Sequence, residues 1–157
     1  MSKITTFLWF DGQAEEAANF YTSIFKNSEI LSKMPGNDAI PGSESKPLGV
    51  TFQLEGHEYV ALNGGPHYKF TPAISLFINC ENQEEVDYFW DRLIDGGTPV
   101  QCGWLTDKFG LSWQVVPTIL GKLMSDPDRN KAGRVAQAMM QMVKLDVAAL
   151  QAAYDQK

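Results

Sequence analysis

The stretch EEAANFYTSIF (residues 15–25) returns later in the chain as EEVDYFWDRLI (84–94), and a displacement of 69 positions superimposes the two without a gap. Glu15, Glu16 and Phe20 meet Glu84, Glu85 and Phe89, while Ala17, Tyr21, Ile24 and Phe25 meet Val86, Trp90, Leu93 and Ile94. In both, apolar residues recur at i, i+3, i+4, i+7 and i+8, the stripe that a helix buries against a sheet. The same displacement sets TTFLWF (5–10) over ISLFIN (74–79), so that a hydroxyl, Thr6 or Ser75, opens an aromatic-rich strand ahead of each helix. Self-similarity at a fixed spacing points to a duplicated unit.

Turn signals and short strands follow each helix. In the first half, SEILSKM (28–34) leads into PGNDAIPGSESKP (35–47), whose Pro, Gly and Ser content predicts an exposed, mobile connection. The next segment, LGVTFQLEG (48–56), alternates Val50, Phe52 and Leu54 with Thr51, Gln53 and Glu55, the pattern of a half-buried strand. Gly56 turns it into HEYVALN (57–63), which GGPHYKFTP (64–72) ends. In the second half Gly96 and Gly97 stop the helix, TPVQCGW (98–104) and LTDKF (105–109) are predicted strands, and Gly110 releases LSWQVVP (111–117).

The common unit is βαβββ, used twice: module one spans about 1–66 and module two about 72–117, with a tail over about 118–157. Such a unit leaves an apolar sheet face that it cannot bury alone. Two units side by side are therefore expected to curl into a mixed sheet around a cleft, an α+β single domain with C-terminal helices.

A length of 157 residues, 44% hydrophobic and 20% charged, fits one globular domain rather than a disordered chain. A net charge of −6 without a Lys or Arg cluster argues against nucleic acid. No apolar run approaches the roughly 20 residues needed to span a bilayer, and MSKITTFLWF lacks the pattern of a signal peptide. A cytoplasmic protein without a membrane partner is expected. In that setting Cys80 and Cys102 are expected to be buried thiols rather than a disulfide.

The segments LWFDGQAEEAANFYTSIF, ALNGGP, SLFINCENQEEVDYFWDRL, GGTPVQCGWLTDKFGLSWQVVP and RVAQAMMQMVKLDVAALQAAY, in this order, resemble the PhnB-like branch of the vicinal oxygen chelate superfamily. That superfamily includes glyoxalases, ring-cleaving dioxygenases and bleomycin-resistance proteins; the branch is sometimes labelled a demethylubiquinone methyltransferase domain. The resemblance implies the vicinal oxygen chelate fold and, in metal-using relatives, four inward ligands from the first and last strands of each module. Carried over, these positions are Thr6, Ala61 or Asn63, Ser75 and Gln114. Hydroxyls and amides bind transition metals weakly, so neither a metal nor another cofactor is expected.

Other chemistry leaves little trace. His57 beside a hairpin glycine and His67 after GGP read as exposed turn residues, apart from any Cys, His and carboxylate cluster. The glycines of NGGP lack the flanking pattern of a phosphate loop, and a Rossmann-type methyltransferase requires a glycine-rich turn after its first strand. Glu15, Glu16, Glu84 and Glu85 sit in first helical turns, where carboxylates favour the positive helix end.

Alternation from Thr6, Ser75 and Gln114 predicts a cleft lined by Leu8, Phe10, Phe77, Asn79, Ser112 and Val116. Thr6, Asn63, Ser75, Phe77 and Gln114 are the candidate ligand-binding residues, with Trp104 and Phe109 at the mouth. In the tail, Ser125, Pro127 and Asp128 start a helix with apolar positions Ala132, Val135, Ala136, Met139 and Val143, and Asp146 caps another bearing Val147, Leu150 and Tyr154. Methionines 124, 139, 140 and 142 suit an adaptable contact; relatives of this branch pair, and a homodimer joined under the tail is expected. The functional expectation is metal-free binding of a small organic molecule in an apolar cleft. The alternative is an enzyme of the glyoxalase or dioxygenase type acting on a small metabolite, assisted by a residue of the 35–47 connection.

Overall fold

The computed structural model describes residues 2–40 and 45–156, so the expected mobile connection at 35–47 falls partly on residues 41–44, outside the described residues. The chain divides into two compact units, Met1–Phe70 and Thr71–Lys157. The first contains β1 (Thr6–Phe10), α1 (Ala14–Ile24), β2 (Glu29–Met34), β3 (Gly49–Leu54) and β4 (His57–Asn63). The second repeats the series as β5 (Ser75–Cys80), α2 (Gln83–Ile94), β6 (Thr98–Pro99), β7 (Trp104–Thr106) and β8 (Ser112–Pro117). Both form four-stranded mixed sheets, ordered β1-β4-β3-β2 and β5-β8-β7-β6. In each, the first and last strands of the module are parallel neighbours and the other pairs are antiparallel. The predicted βαβββ duplication is present in an α+β chain.

The helices keep the spacing of 69. Ala17, Tyr21 and Ile24 are buried in α1, and their counterparts Val86, Trp90 and Leu93 are buried in α2. Tyr21 meets the sheet at Phe52, with ring centroids 6.2 Å apart. Burying side chains of this size contributes about 1.5–3 kcal/mol each.

The strands do not keep that spacing. β1 ends at Phe10, four residues before the first residue of α1, whereas β5 ends at Cys80, three residues before α2. The extra residue lies in Asp11-Gly12-Gln13, where Gly12 takes a φ of 82° open to glycine at little cost. Matched at their ends, the strands align by 70: Leu8 and Phe10 are buried like Ile78 and Cys80, and the counterpart of Ser75 is Thr5. Side chains alternate faces along a strand, so one residue of slip exchanges every side chain between the two sides.

The two links also cap their helices differently. In module two Asn82 accepts a hydrogen bond from the Glu85 N–H, and the Glu85 carboxylate accepts one from the Glu81 N–H. This reciprocal arrangement satisfies donors that the helix start leaves unpaired. In module one Gln13 makes no side-chain cap. Asn63, reaching from the end of β4, accepts the Ala14 N–H at 2.9 Å and donates to the Pro47 carbonyl at 2.8 Å. The glycines of NGGP follow from packing: a Cβ on Gly64 would lie 2.4 Å from the Trp9 ring, whose indole N–H donates to the Gly65 carbonyl.

The predicted strands TPVQCGW and LTDKF are shorter than expected. A 3-10 turn at Gln101–Gly103 separates β6 from β7, with Cys102 and Gly103 both at positive φ. β7 stops at Thr106 because Asp107, buried at 3% exposure, accepts hydrogen bonds from the Phe109 and Leu111 amides and the Trp113 indole, closing a turn.

The tail forms α3 (Thr118–Met124), α4 (Arg129–Met140) and α5 (Val147–Asp155), with Asp128 and Asp146 capping α4 and α5. Val116 of β8 joins Leu120, Leu123, Val135, Leu145 and Leu150 in one buried cluster, against which Met124, Met139 and Met142 pack. Val143, expected on the stripe of α4, lies beyond that helix and is exposed, because the chain leaves the helix at Gln141. Among the described residues, no helix is long and apolar enough to cross a membrane.

The Asn63 contacts yield a stability prediction. Asn63→Ala leaves a buried amide and a carbonyl without their partner and is expected to lower unfolding free energy by about 2–4 kcal/mol, read from urea denaturation.

Candidate functional site

Register assigns each residue to a face. In module one Phe52 pairs with Tyr59 and Val50 with Ala61, while Thr6, Leu8 and Phe10 pair with Tyr59, Ala61 and Asn63. Since Phe52 meets Tyr21 and Asn63 holds the start of α1, this is the helix-covered face. Thr6 stands at its exposed end, and Leu8 and Phe10 are buried, not cleft-lining. The correction has one cause, the extra residue between β1 and α1. Asn63 is likewise on the helix side, with its amide engaged in the structure of module one.

The opposite, open face of module one carries Phe7 and Trp9 of β1, beside Val60 and Leu62 of β4. Phe7 is 60% exposed. The Trp9 ring is fixed by the Gly65 carbonyl and by an edge contact with Tyr68 at 4.9 Å. Its β1 edge is aromatic, while Thr51, Gln53 and Glu58 share the face further along; it contains neither Thr6 nor Asn63, the candidate polar residues of its module.

Module two sorts its residues differently. Buried Leu105, Trp113, Val115, Ile78 and Cys80 occupy one face of its sheet. On the other, register aligns Ser75 with Ser112 and Thr106, and Phe77 with Gln114 and Trp104; Asn79 lies beside Val116. Three candidate residues thus come together. The Gln114 side-chain N–H donates to the Ser75 hydroxyl at 3.0 Å, and Phe77, next to Gln114 in register, is half exposed. Val116 is covered by the tail cluster. Phe109 belongs to the turn closed by Asp107.

The donor set does not fit a transition metal. Ser75 and Gln114 offer a hydroxyl and an amide already bonded to each other. Asn63 is committed to α1 and to Pro47, and the open face of β1 and β4 carries Phe7, Trp9, Val60 and Leu62 with one carboxylate, the exposed Glu58 at the start of β4. Apart from the single Glu58 carboxylate, such groups lack the imidazoles, thiolates or carboxylates needed to bind these ions firmly. Among the described residues, no three His, Cys, Asp or Glu side chains are grouped to hold an ion.

The remaining titratable groups lie elsewhere. Both cysteines are free; Cys102, expected to be buried, is only partly so, while burial, reinforced by the nearby Glu85 carboxylate, pushes the Cys80 thiol up to about 12, which keeps it protonated and unreactive. Sequence reasoning missed a hollow of about 350 Å³ in module one lined by Asp11, Lys46, His67 and the glycine turns at 12 and 64–65. The Lys46 ammonium there donates to the Gly12 carbonyl at 2.9 Å. His57 and His67 are exposed. The hollow joins segments distant in the chain, so no local pattern announced it.

Residues 2–116 match the family described as 3-demethylubiquinone-9 3-methyltransferase. A PhnB protein from Bacillus cereus that carries the same description is 41% identical, with 74% of this chain and 99% of that one covered and a TM-score of 0.68. Protein PA1353 from Pseudomonas aeruginosa is similar in fold, with 19% identity, 74% and 98% coverage and a TM-score of 0.62. No curated protein matches the chain. The architecture does not support the methyltransferase description: a Rossmann core requires successive parallel strands, and here each sheet contains one parallel pair. Family match, close relative and duplicated topology together make this chain a member of the PhnB-like branch of the vicinal oxygen chelate superfamily.

Proposed function

We propose that the protein binds a small, uncharged, partly aromatic molecule, without a metal, on the open face of the module-two sheet. One observation carries the reading: the Gln114 amide is aligned between Phe77 and Trp104 and bonded through one N–H to Ser75. Among the described residues no other hydrogen bond engages that side chain, so its carbonyl and second N–H remain for a ligand. Aromatic side chains beside a few oriented polar groups are the usual lining of a small-molecule site.

The character of the face favours binding over turnover. Its side chains are Ser75, Phe77, Asn79, Trp104, Thr106, Ser112 and Gln114, none of which changes charge near neutral pH. Acid–base catalysis calls for a group titrating near the working pH, which supports a binding protein over an enzyme of the glyoxalase type. Homodimerisation belongs to the same proposal, supported by the exposure of Phe7 and Phe77 and of Ile74 at 71%. A dimeric mass in light scattering at micromolar concentration is expected, and a monomeric mass contradicts this part.

Binding is tested by calorimetric titration with a panel of neutral aromatic amides and alcohols, with the matching carboxylates as controls. Neutral compounds are expected to bind saturably and the carboxylates weakly. Gln114→Ala is expected to raise Kd about tenfold, or about 1.4 kcal/mol, while leaving the fold intact by circular dichroism. Failure of every neutral compound, or equal binding by the variant, contradicts the proposal.

A further inference from the structure

The turn leading into Trp104 is built in an unfavourable conformation and held from outside its own sheet. Cys102 and Gly103 have φ of 63° and 83°. Left-handed backbone is uncommon for a residue with a side chain, and such an outlier persists only where surrounding contacts enforce it. The contacts here come from the tail. The Cys102 N–H donates to the Met142 carbonyl and the Gly103 N–H to the Val143 carbonyl, both at 2.8 Å. Leu145 fills the space above Gly103, where a Cβ would come within 2.9 Å of its side chain. The turn then passes directly into β7, with the Trp104 N–H on the Gln101 carbonyl and the Trp104 carbonyl accepting from Val100.

One side chain fastens the tail segment at that place. Gln83, the first residue of α2, donates to the Leu145 carbonyl at 3.0 Å and accepts the Val147 N–H at 2.6 Å. It also donates to Asp87, which pairs with Lys144 at 2.9 Å. The family match ends at Val116, and 74% of this chain accounts for 99% of the Bacillus cereus relative. The fastening segment therefore lies outside the matched residues, and the resemblance expected to extend through RVAQAMMQMVKLDVAALQAAY is not carried by the family match.

We infer that residues 141–147 act as a strap, fastened by Gln83, that fixes the Cys102–Gly103 turn and so positions Trp104 beside Gln114. Gln83 is a positioning residue, acting through the tail. The inference draws on the proposed binding face only in assigning a use to Trp104. A protein that bound nothing there would still carry the strap, and the measurements below require no ligand.

The test is made on the full chain by amide exchange and by the Trp104 indole resonance. In Gln83→Ala, exchange at Cys102 and Gly103 is expected to rise at least tenfold and the indole resonance to shift. Arg134→Ala is the comparison, because Arg134 holds the Ala153 and Tyr154 carbonyls of α5, away from the strap. It should speed exchange in α5 and leave Trp104 in place. Unchanged exchange at Cys102 and Gly103 in Gln83→Ala, or an equal indole shift in Arg134→Ala, overturns the inference. If Gln83→Ala does not fold, exchange of the unaltered chain in low urea decides: the Cys102, Gly103 and Val147 amides should open as one unit, and independent opening overturns it.

Discussion

A β-strand gives its alternate residues to opposite sides of a sheet, so the chemistry of each face is decided by the phase in which the strand enters its helix-bearing layer. In this protein the phase of module one depends on one residue. Asp11-Gly12-Gln13 exceeds the Glu81-Asn82 link by a single position. The helices bury matching residues on both sides of the duplication, while the strands preceding them are shifted by one. Consequently module one buries Leu8 and Phe10 and leaves Phe7 open, and module two leaves Ser75 and Phe77 on its open side.

The longer link also changes what the polar residues do. Module two caps α2 locally through Asn82 and Glu85, and the hydroxyl and amide of its outer strands remain available to each other on the open face. Module one has no local side-chain cap, and Asn63 reaches back from β4 to supply the bond. A buried amide with both ends satisfied stabilises one arrangement of the chain and is poorly placed to meet a ligand. The duplicated framework thus holds two unlike halves: an aromatic β1 edge in the first and a neutral hydrogen-bonding pair beside aromatic rings in the second.

Much of this was legible in the amino-acid order. Helical periodicity located both α-helices, alternation at Val50, Phe52 and Leu54 identified a central strand, and Asp128 and Asp146 announced their helices. The grouping of Ser75, Phe77 and Gln114 on one face also followed from alternation. Thr6 falls on the helix-covered face instead because the gapless spacing of the helices does not hold across a link of unequal length. The interruption at Cys102 was invisible because its cause, the Met142 and Val143 carbonyls, lies forty residues further on. Local pattern reports what a segment prefers, and a distant partner decides whether it obtains it.

The phase shift is tested most directly by placing single cysteines at adjacent positions of β1 and measuring their alkylation in the folded chain, site by site, by mass spectrometry. Phe7→Cys should react rapidly, and Leu8→Cys, at 4% exposure in the native side chain, should be protected. The reverse order contradicts the account, because it would return β1 to the phase of the gapless repeat.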